Sequence, residues 1–158
     1  MMKGRISMKI AIANDHSAVQ MKNHIKAHLE KKGHTVVNFG TEDETYSDYP
    51  IYAARAAHAV ANGECDLGIV ICGTGIGVSL AANKVKGIRC ALCSEPVSAK
   101  LTREHNNANM LAFGARLIGT VMAEAIVDAF VETPFSFAER HVKRIDMISR
   151  IENGETIE

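Results

Sequence analysis

The chain reads as a single doubly wound three-layer α/β/α domain on a five-stranded parallel sheet, Rossmann-like in architecture. Three observations predict it. Short apolar runs of strand length alternate with longer helical patterns from Met8 onward, an alternation that belongs to parallel sheets covered on both faces. The strand runs are apolar at nearly every position, as in Ile-Ala-Ile-Ala over 10–13 and Leu-Gly-Ile-Val-Ile over 67–71, which strands buried on both sides require. Finally, 158 residues with 47% hydrophobic content suffice for one core, because a chain of this size buries roughly 70% of its unfolded surface.

The elements follow in order. Met1–Ser7 is expected to be a short disordered extension, and the domain proper runs over 8–158 with Met8 opening the first strand. That strand ends at Asn14-Asp15-His16. Ser17 is the expected N-cap of a helix whose apolar positions Val19, Met21, Ile25 and Leu29 recur at helical spacing up to Gly33. Thr35–Phe39 forms the second strand, closed by Gly40, and Thr41–Asp48 is polar loop. Pro50 fits the first turn of an alanine-rich helix ending near Gly63. Leu67–Ile71 is the third strand, followed by a glycine loop and a helix to about Val85. Arg89–Cys93 makes the fourth strand, Glu95–Glu104 a helix, and Met110–Phe113 the fifth strand. Helices near Thr120–Val131 and Phe137–Ile151 flank Thr133-Pro134. Ligands of such folds bind at the carboxyl ends of the strands. Asp15, His16, the Cys72–Gly77 loop and the Glu104-His105-Asn106 segment are all expected at that one edge.

Bulk properties narrow the function. Basic and acidic residues balance at 18 each for a formal net charge of zero, so no global field draws nucleic acid or an anionic membrane. No apolar run approaches the roughly 20 residues of a membrane helix. The segment Met-Met-Lys-Gly-Arg-Ile-Ser-Met lacks the apolar core of a signal peptide, so a cytoplasmic location with reduced cysteines is expected. Cys90 and Cys93 have the C-x-x-C spacing of a redox pair or half a zinc site. Within the strand-like Arg-Cys-Ala-Leu-Cys, however, positions three apart point to opposite faces, and no second pair exists. Buried thiols without metal are the expectation.

Residues 67–79 carry the chemistry. An apolar strand ends on Cys72, and glycines follow at alternate positions: Gly73, Gly75 and Gly77. Such spacing lets several backbone N–H groups turn inward, and a helix starting there adds positive potential. Three known phosphate loops fail to match. A dinucleotide fingerprint needs G-x-G-x-x-G, a P-loop needs Gly-Lys-Ser/Thr, and a cysteine phosphatase loop would close on an arginine where Val78 stands. Thr74 among the glycines points to a site rather than a bare turn. Arg140 and Arg144, four apart on one helix face, can together grip a phosphate, or lie solvated beside Glu139 and Asp146. His24 and His28 have metal-ligand spacing on a helix but lie among lysines, and are expected to be surface residues. His16 and His105 are each expected in a polar strand-end loop beside another hydrogen-bonding residue.

Together, Asn14-Asp15-His16, Asp48-Tyr49-Pro50, Cys72-Gly-Thr-Gly-Ile-Gly, Ser94-Glu95-Pro96, His105-Asn106, Leu111-Ala-Phe-Gly-Ala-Arg116 and Arg140-His-Val-Lys-Arg144 resemble type B ribose-5-phosphate isomerases. The wider family includes galactose-6-phosphate and allose-6-phosphate isomerases. The resemblance spans about Met8 to Ile151, in order and with spacing kept. It implies cofactor-free, metal-free interconversion of an aldose phosphate and its ketose through a cis-enediolate. In that implied scheme Cys72 shuttles the proton between carbons 1 and 2, and His105 with Asp15 opens the sugar ring. The amides of Gly73, Thr74, Gly75, Ile76 and Gly77, with the Thr74 side chain, hold the enediolate oxygens. His16, Arg140 and Arg144 take the phosphate, while Tyr49, Asn106 and Arg116 line the sugar. Some relatives place a glutamate at the position of Val78, so its absence implies the cysteine variety. The resemblance further implies a homodimer, or a dimer of dimers, with sites shared between subunits. Ribose 5-phosphate is the implied substrate. A six-carbon sugar phosphate keeps the same chemistry, and a non-catalytic sugar-phosphate binding protein and a thiol redox protein are the readings from other classes.

Overall fold

The structure, a computed structural model, describes residues 6–158. Most of the extension expected to be disordered thus lies outside the described residues. Its last residue, Ser7, donates its hydroxyl to the Gly33 carbonyl at 2.9 Å.

Five strands form one fully parallel sheet: β1 (Lys9–Asn14), β2 (Thr35–Asn38), β3 (Leu67–Cys72), β4 (Cys90–Leu92) and β5 (Met110–Gly114), in spatial order β2-β1-β3-β5-β4. Six helices connect and cover them: α1 (Val19–Lys31), α2 (Tyr49–Ala61), α3 (Ile76–Ala82), α4 (Pro96–Asn106), α5 (Thr120–Glu132) and α6 (Glu139–Glu152). The predicted fold class and five-stranded sheet are what is found.

The pleat sorts the strand residues into two cores. Ile10, Ile12, Leu67, Ile69 and Ile71 face α1, α4 and α5, whereas Ala11, Ala13, Val70 and Cys72 face α2 and α3. On the second face the residues are small because α2 packs close, through Ala53, Ala56 and Ala57. A Cβ on Gly68 would stand 2.8 Å from Met110 Cε and 3.0 Å from Val60 Cγ2.

Three local expectations change. Asp15, not Ser17, opens the first helical turn: it caps a 3-10 turn (His16–Ala18), its Oδ1 accepting from the Ser17 amide at 3.0 Å and the Ser17 hydroxyl at 2.5 Å. A carboxylate accepts both donors at once, which a serine hydroxyl could not do as well. Helix α3 stops at Ala82 rather than near Val85. Asn83 turns aside to mimic a strand, its Oδ1 accepting from the Cys90 amide at 2.8 Å and its Nδ2 donating to the Cys90 carbonyl at 2.9 Å. Helix α6 begins at Glu139 because Phe137 takes a positive φ of 54°. His24 is exposed as expected and His28 is half-buried; both bridge to α5, Nε2 of His24 lying 2.7 Å from Glu124 and Nε2 of His28 lying 2.8 Å from Asp128. Among the described residues, no helix is long and apolar enough to cross a membrane.

Candidate active site

Topology places the site. Connections leave β1 towards β2 on one side and reach β3 on the other, so the switch point of the sheet lies between β1 and β3 at their carboxyl ends, where doubly wound folds bind ligands. Asn14 pairs with Ile71 and Cys72 with Gly114. The Asp15 amide donates to the Ile71 carbonyl at 3.3 Å, which sets Asp15 next to the end of β3 that closes on Cys72.

The glycine loop is built around the sulfur. Cys72 is buried at 5% exposure, and the Gly75 amide donates to its Sγ at 3.2 Å. Gly75 caps α3 with φ +79°, a left-handed conformation that glycine adopts at no steric cost. A Cβ there would also stand 2.6 Å from the Phe113 carbonyl carbon. The Thr74 hydroxyl accepts from the Ile76 amide at 3.2 Å. Two of the amides expected to hold an oxyanion are therefore engaged by the loop's own side chains, and the remaining loop amides would have to meet a ligand. Close neighbours complete this edge. The Arg116 side chain lies over Gly73, where a Cβ would come within 3.3 Å of Cδ and of a terminal guanidinium nitrogen. The Tyr49 ring lies on Gly77, whose Cβ would meet its Cζ at 2.6 Å. His16 follows Asp15 and lines a cavity of about 670 Å³ with Gln20, Glu44, Arg116 and Thr120.

His105, Asn106, Arg140 and Arg144 are elsewhere. Helix α4 starts at the carboxyl edge after β4 and ends at the amino edge before β5, so its last residues lie at the far end of the sheet from Cys72. The Asn106 carbonyl accepts from Arg89, just before β4, at 3.0 Å. The expectation that the His105 segment joins the strand ends is thus corrected. It precedes a strand, and a crossover helix returns the chain to the opposite edge.

At that amino edge a second cluster forms. The rings of His105 and His141 are 4.5 Å apart, and Nδ1 of His141 lies 2.8 Å from the Ser136 hydroxyl. Burial holds His141 below the usual imidazole value, and the positive charges of Arg140, His105 and Arg144 push the same way. Arg140 and Arg144 are exposed and, among the described residues, make no ion pair with Glu139 or Asp146. Two free guanidinium groups beside a histidine pair form an anion-seeking surface.

Sequence reasoning missed His141 and Ser47. His141 was hidden inside the Arg140–Arg144 run, and Ser47 inside a loop read only as polar. Cys93 is buried as expected, whereas Cys90 is only half-buried; Cys90 packs against the α2–α3 core and Cys93 into the opposite one. Burial, then Cys93, pushes the Cys90 thiol up to about 12, and burial, then Glu95, pushes Cys93 up to about 11. All four cysteines are free. Among the described residues, no group of three or more His, Cys, Asp or Glu side chains is set to hold a metal ion.

A thiol wrapped by a glycine loop at the switch point of a doubly wound sheet defines a small-molecule site of the α/β class. Comparison with known proteins takes this further. The family model described as ribose/galactose isomerase matches residues 10–148. The chain is 49% identical over 144 residues to ribose-5-phosphate isomerase B of Escherichia coli, covering 91% of this chain and 96% of that protein. It is 41% identical to galactose-6-phosphate isomerase subunit LacB of Clostridium acetobutylicum, covering 94% and 87%. The solved structure of Clostridium thermocellum ribose-5-phosphate isomerase B superposes with a TM-score of 0.91 at 46% identity, covering 94% of this chain and all of that one. The chain belongs to the ribose/galactose isomerase family, and with it is a sugar-phosphate isomerase.

Proposed function

We propose that the protein interconverts ribose 5-phosphate and ribulose 5-phosphate through a cis-enediolate, with Cys72 as the proton-transfer base. The observation that carries this reading is the Gly75 amide donating to Cys72 Sγ at 3.2 Å at the carboxyl end of β3. An amide aimed at sulfur holds it as an acceptor, the role a base requires. Cys72 takes the proton from carbon 2 of the open-chain aldose and returns it to carbon 1, while the hydroxyl proton passes from O2 to O1. The enediolate oxygens are met by the remaining loop amides with the Thr74 hydroxyl, which can donate while it accepts from Ile76; one such donor is typically worth about 2.7–4 kcal/mol of barrier. Asp15 keeps Oδ2 available for ring opening, since Ser17 occupies Oδ1. Tyr49, Arg116 and Asn106 line the sugar, and His16, Arg140 and Arg144 bind the phosphate. The pentose is favoured over a six-carbon sugar by the similarity to ribose-5-phosphate isomerase B, at 49% identity against 41% for the galactose-6-phosphate subunit.

This scheme needs groups from both edges of the sheet, which the length of a five- or six-residue strand separates by roughly 15–20 Å. One chain cannot bring His105 to its own Cys72. We therefore propose a homodimer in which the amino edge of one copy closes the carboxyl edge of the other. Exposed apolar side chains around the open β4 edge support it: Ile76 and Leu80 on α3, Leu92 on β4, Val97 and Leu101 on α4. Such patches mark contact surfaces.

Two measurements test the reading. In deuterated water with a chelator present, the wild type should wash the carbon-bound proton of ribose 5-phosphate into solvent. Cys72→Ala should lose this exchange by about 10²–10⁴-fold; retained exchange refutes the base assignment. Across ribose, allose and galactose phosphates, kcat/KM should be highest for ribose 5-phosphate, and binding without turnover of any would favour a non-catalytic protein.

A further inference from the structure

His16 and Ser47 hold each other through reciprocal bonds. The His16 backbone N–H donates to the Ser47 hydroxyl at 2.9 Å, and the Ser47 backbone N–H donates back to His16 Nδ1 at 3.2 Å. The Ser47 hydroxyl also stands 3.4 Å from Nδ1, and Asp15 Oδ2 stands 3.9 Å away, beyond hydrogen-bond reach. The Tyr46 ring leans on the imidazole with centroids 5.7 Å apart.

A side-chain hydroxyl can rotate to suit either state of a ring nitrogen, but a main-chain N–H can only donate. The nitrogen it meets must offer a lone pair. In the neutral ring the proton therefore resides on Nε2, because only one of the two nitrogens carries it. No described protein group holds Nε2, the side chain is 28% exposed, and His16 lines the 670 Å³ cavity together with Arg116.

We propose that Ser47 is a positioning residue that fixes His16 as the Nε2–H tautomer, so that the ring presents a hydrogen-bond donor to an anionic oxygen of the substrate phosphate. The opposite tautomer would aim a lone pair at that oxygen. The ligand identity rests on the function proposed above; the tautomer does not.

The deciding experiment uses the full-length enzyme with ring-¹⁵N-labelled histidine, observed without substrate near pH 8, where a free imidazole is neutral. His16→Gln assigns the His16 signals. The expected pattern is that of a ring protonated on Nε2, and an Nδ1–H ring or an even mixture overturns the proposal. Ser47→Pro, which lacks the main-chain N–H, should free the ring to mixed tautomers and raise KM for ribose 5-phosphate about tenfold, with kcat within about twofold. Ser47→Ala keeps that N–H and should retain the Nε2–H tautomer. An unchanged tautomer and KM in Ser47→Pro removes Ser47 from the role, and mixed tautomers in Ser47→Ala overturn the main-chain assignment. Should the wild type fail to turn over ribose 5-phosphate, the functional reading falls while the wild-type spectrum still decides this one.

Discussion

Cys90 and Cys93 stand three residues apart and never meet, because a strand's period of two sends them into different cores. This much follows from the sequence, since pleat geometry needs no knowledge of the partners. Their proton affinity has a consequence for the whole protein. A thiol raised to about 12 at Cys90 and about 11 at Cys93 binds its proton more tightly in the fold than in the unfolded chain. The stability it supplies is complete below the ordinary thiol value of roughly 8.5 and is lost as pH climbs through the raised values. Urea midpoints measured from pH 8 to 11 should decline, and Cys90→Ala should flatten that decline; equal slopes would show that burial does not control this thiol. At neutral pH the same protonation should keep both thiols slow towards alkylation in the folded enzyme. Ser47 and His141 were illegible for the opposite reason. Their roles lie in what tertiary contact sets beside them, a ring nitrogen in one case and a stacked imidazole in the other.

Among the connecting segments, the loop between β2 and α2 departs furthest from its sequence reading. It looks like solvated polar chain, yet it is tied down from beneath. Lys22 of α1 is fully buried, donates to the Thr41 carbonyl at 3.2 Å and pairs with Glu42. Asn14 at the end of β1 donates to the same carbonyl at 3.0 Å, and Asn23 and Asn38 donate to Glu42 at 3.1 and 2.9 Å. The Lys22 bond, followed by that of Asn23, holds the Glu42 carboxyl below its usual value. Glu42→Gln leaves a buried ammonium without its counter-charge. Because Glu42 itself faces solvent and is screened, the expected loss is about 1–2 kcal/mol in urea unfolding at pH 7. A depressed carboxylate stabilises above its unfolded value near 4.3 and ceases to as pH falls through the folded one. The gap between wild type and variant should therefore close below about pH 4; a gap that persists there would assign it to packing instead. The strands, by contrast, were legible almost to the residue. An unbroken apolar run such as Leu67–Cys72 has one place to go in a doubly wound sheet, whereas helix ends depend on side chains like Asn83 that leave the helix for a neighbouring strand.

On the scale of the whole molecule, parallel topology divides the candidate machinery. Every strand delivers its C-terminal residues to one edge and every crossover helix returns the chain to the other. Asp15, His16 and Cys72 therefore share an edge that His105, Asn106, Arg140 and Arg144 cannot reach within the same chain. The sequence holds all these residues but not this partition, because a polar segment after a helix and one after a strand look alike until the helix is given a direction. If sites form between copies in a two-fold dimer, each chain contributes Cys72 to one site and His105 to the other. Cys72→Ala and His105→Asn should then each be inactive alone and complement when co-expressed. In a random one-to-one mixture half of the dimers are mixed, and each mixed dimer holds one site with both residues intact and one with neither. Recovered kcat should approach roughly a quarter of the wild-type value, with KM unchanged because the intact sites are native. Activity no greater than that of the two single variants would require Cys72 and His105 to act within one chain, and the edge-to-edge dimer would then fall.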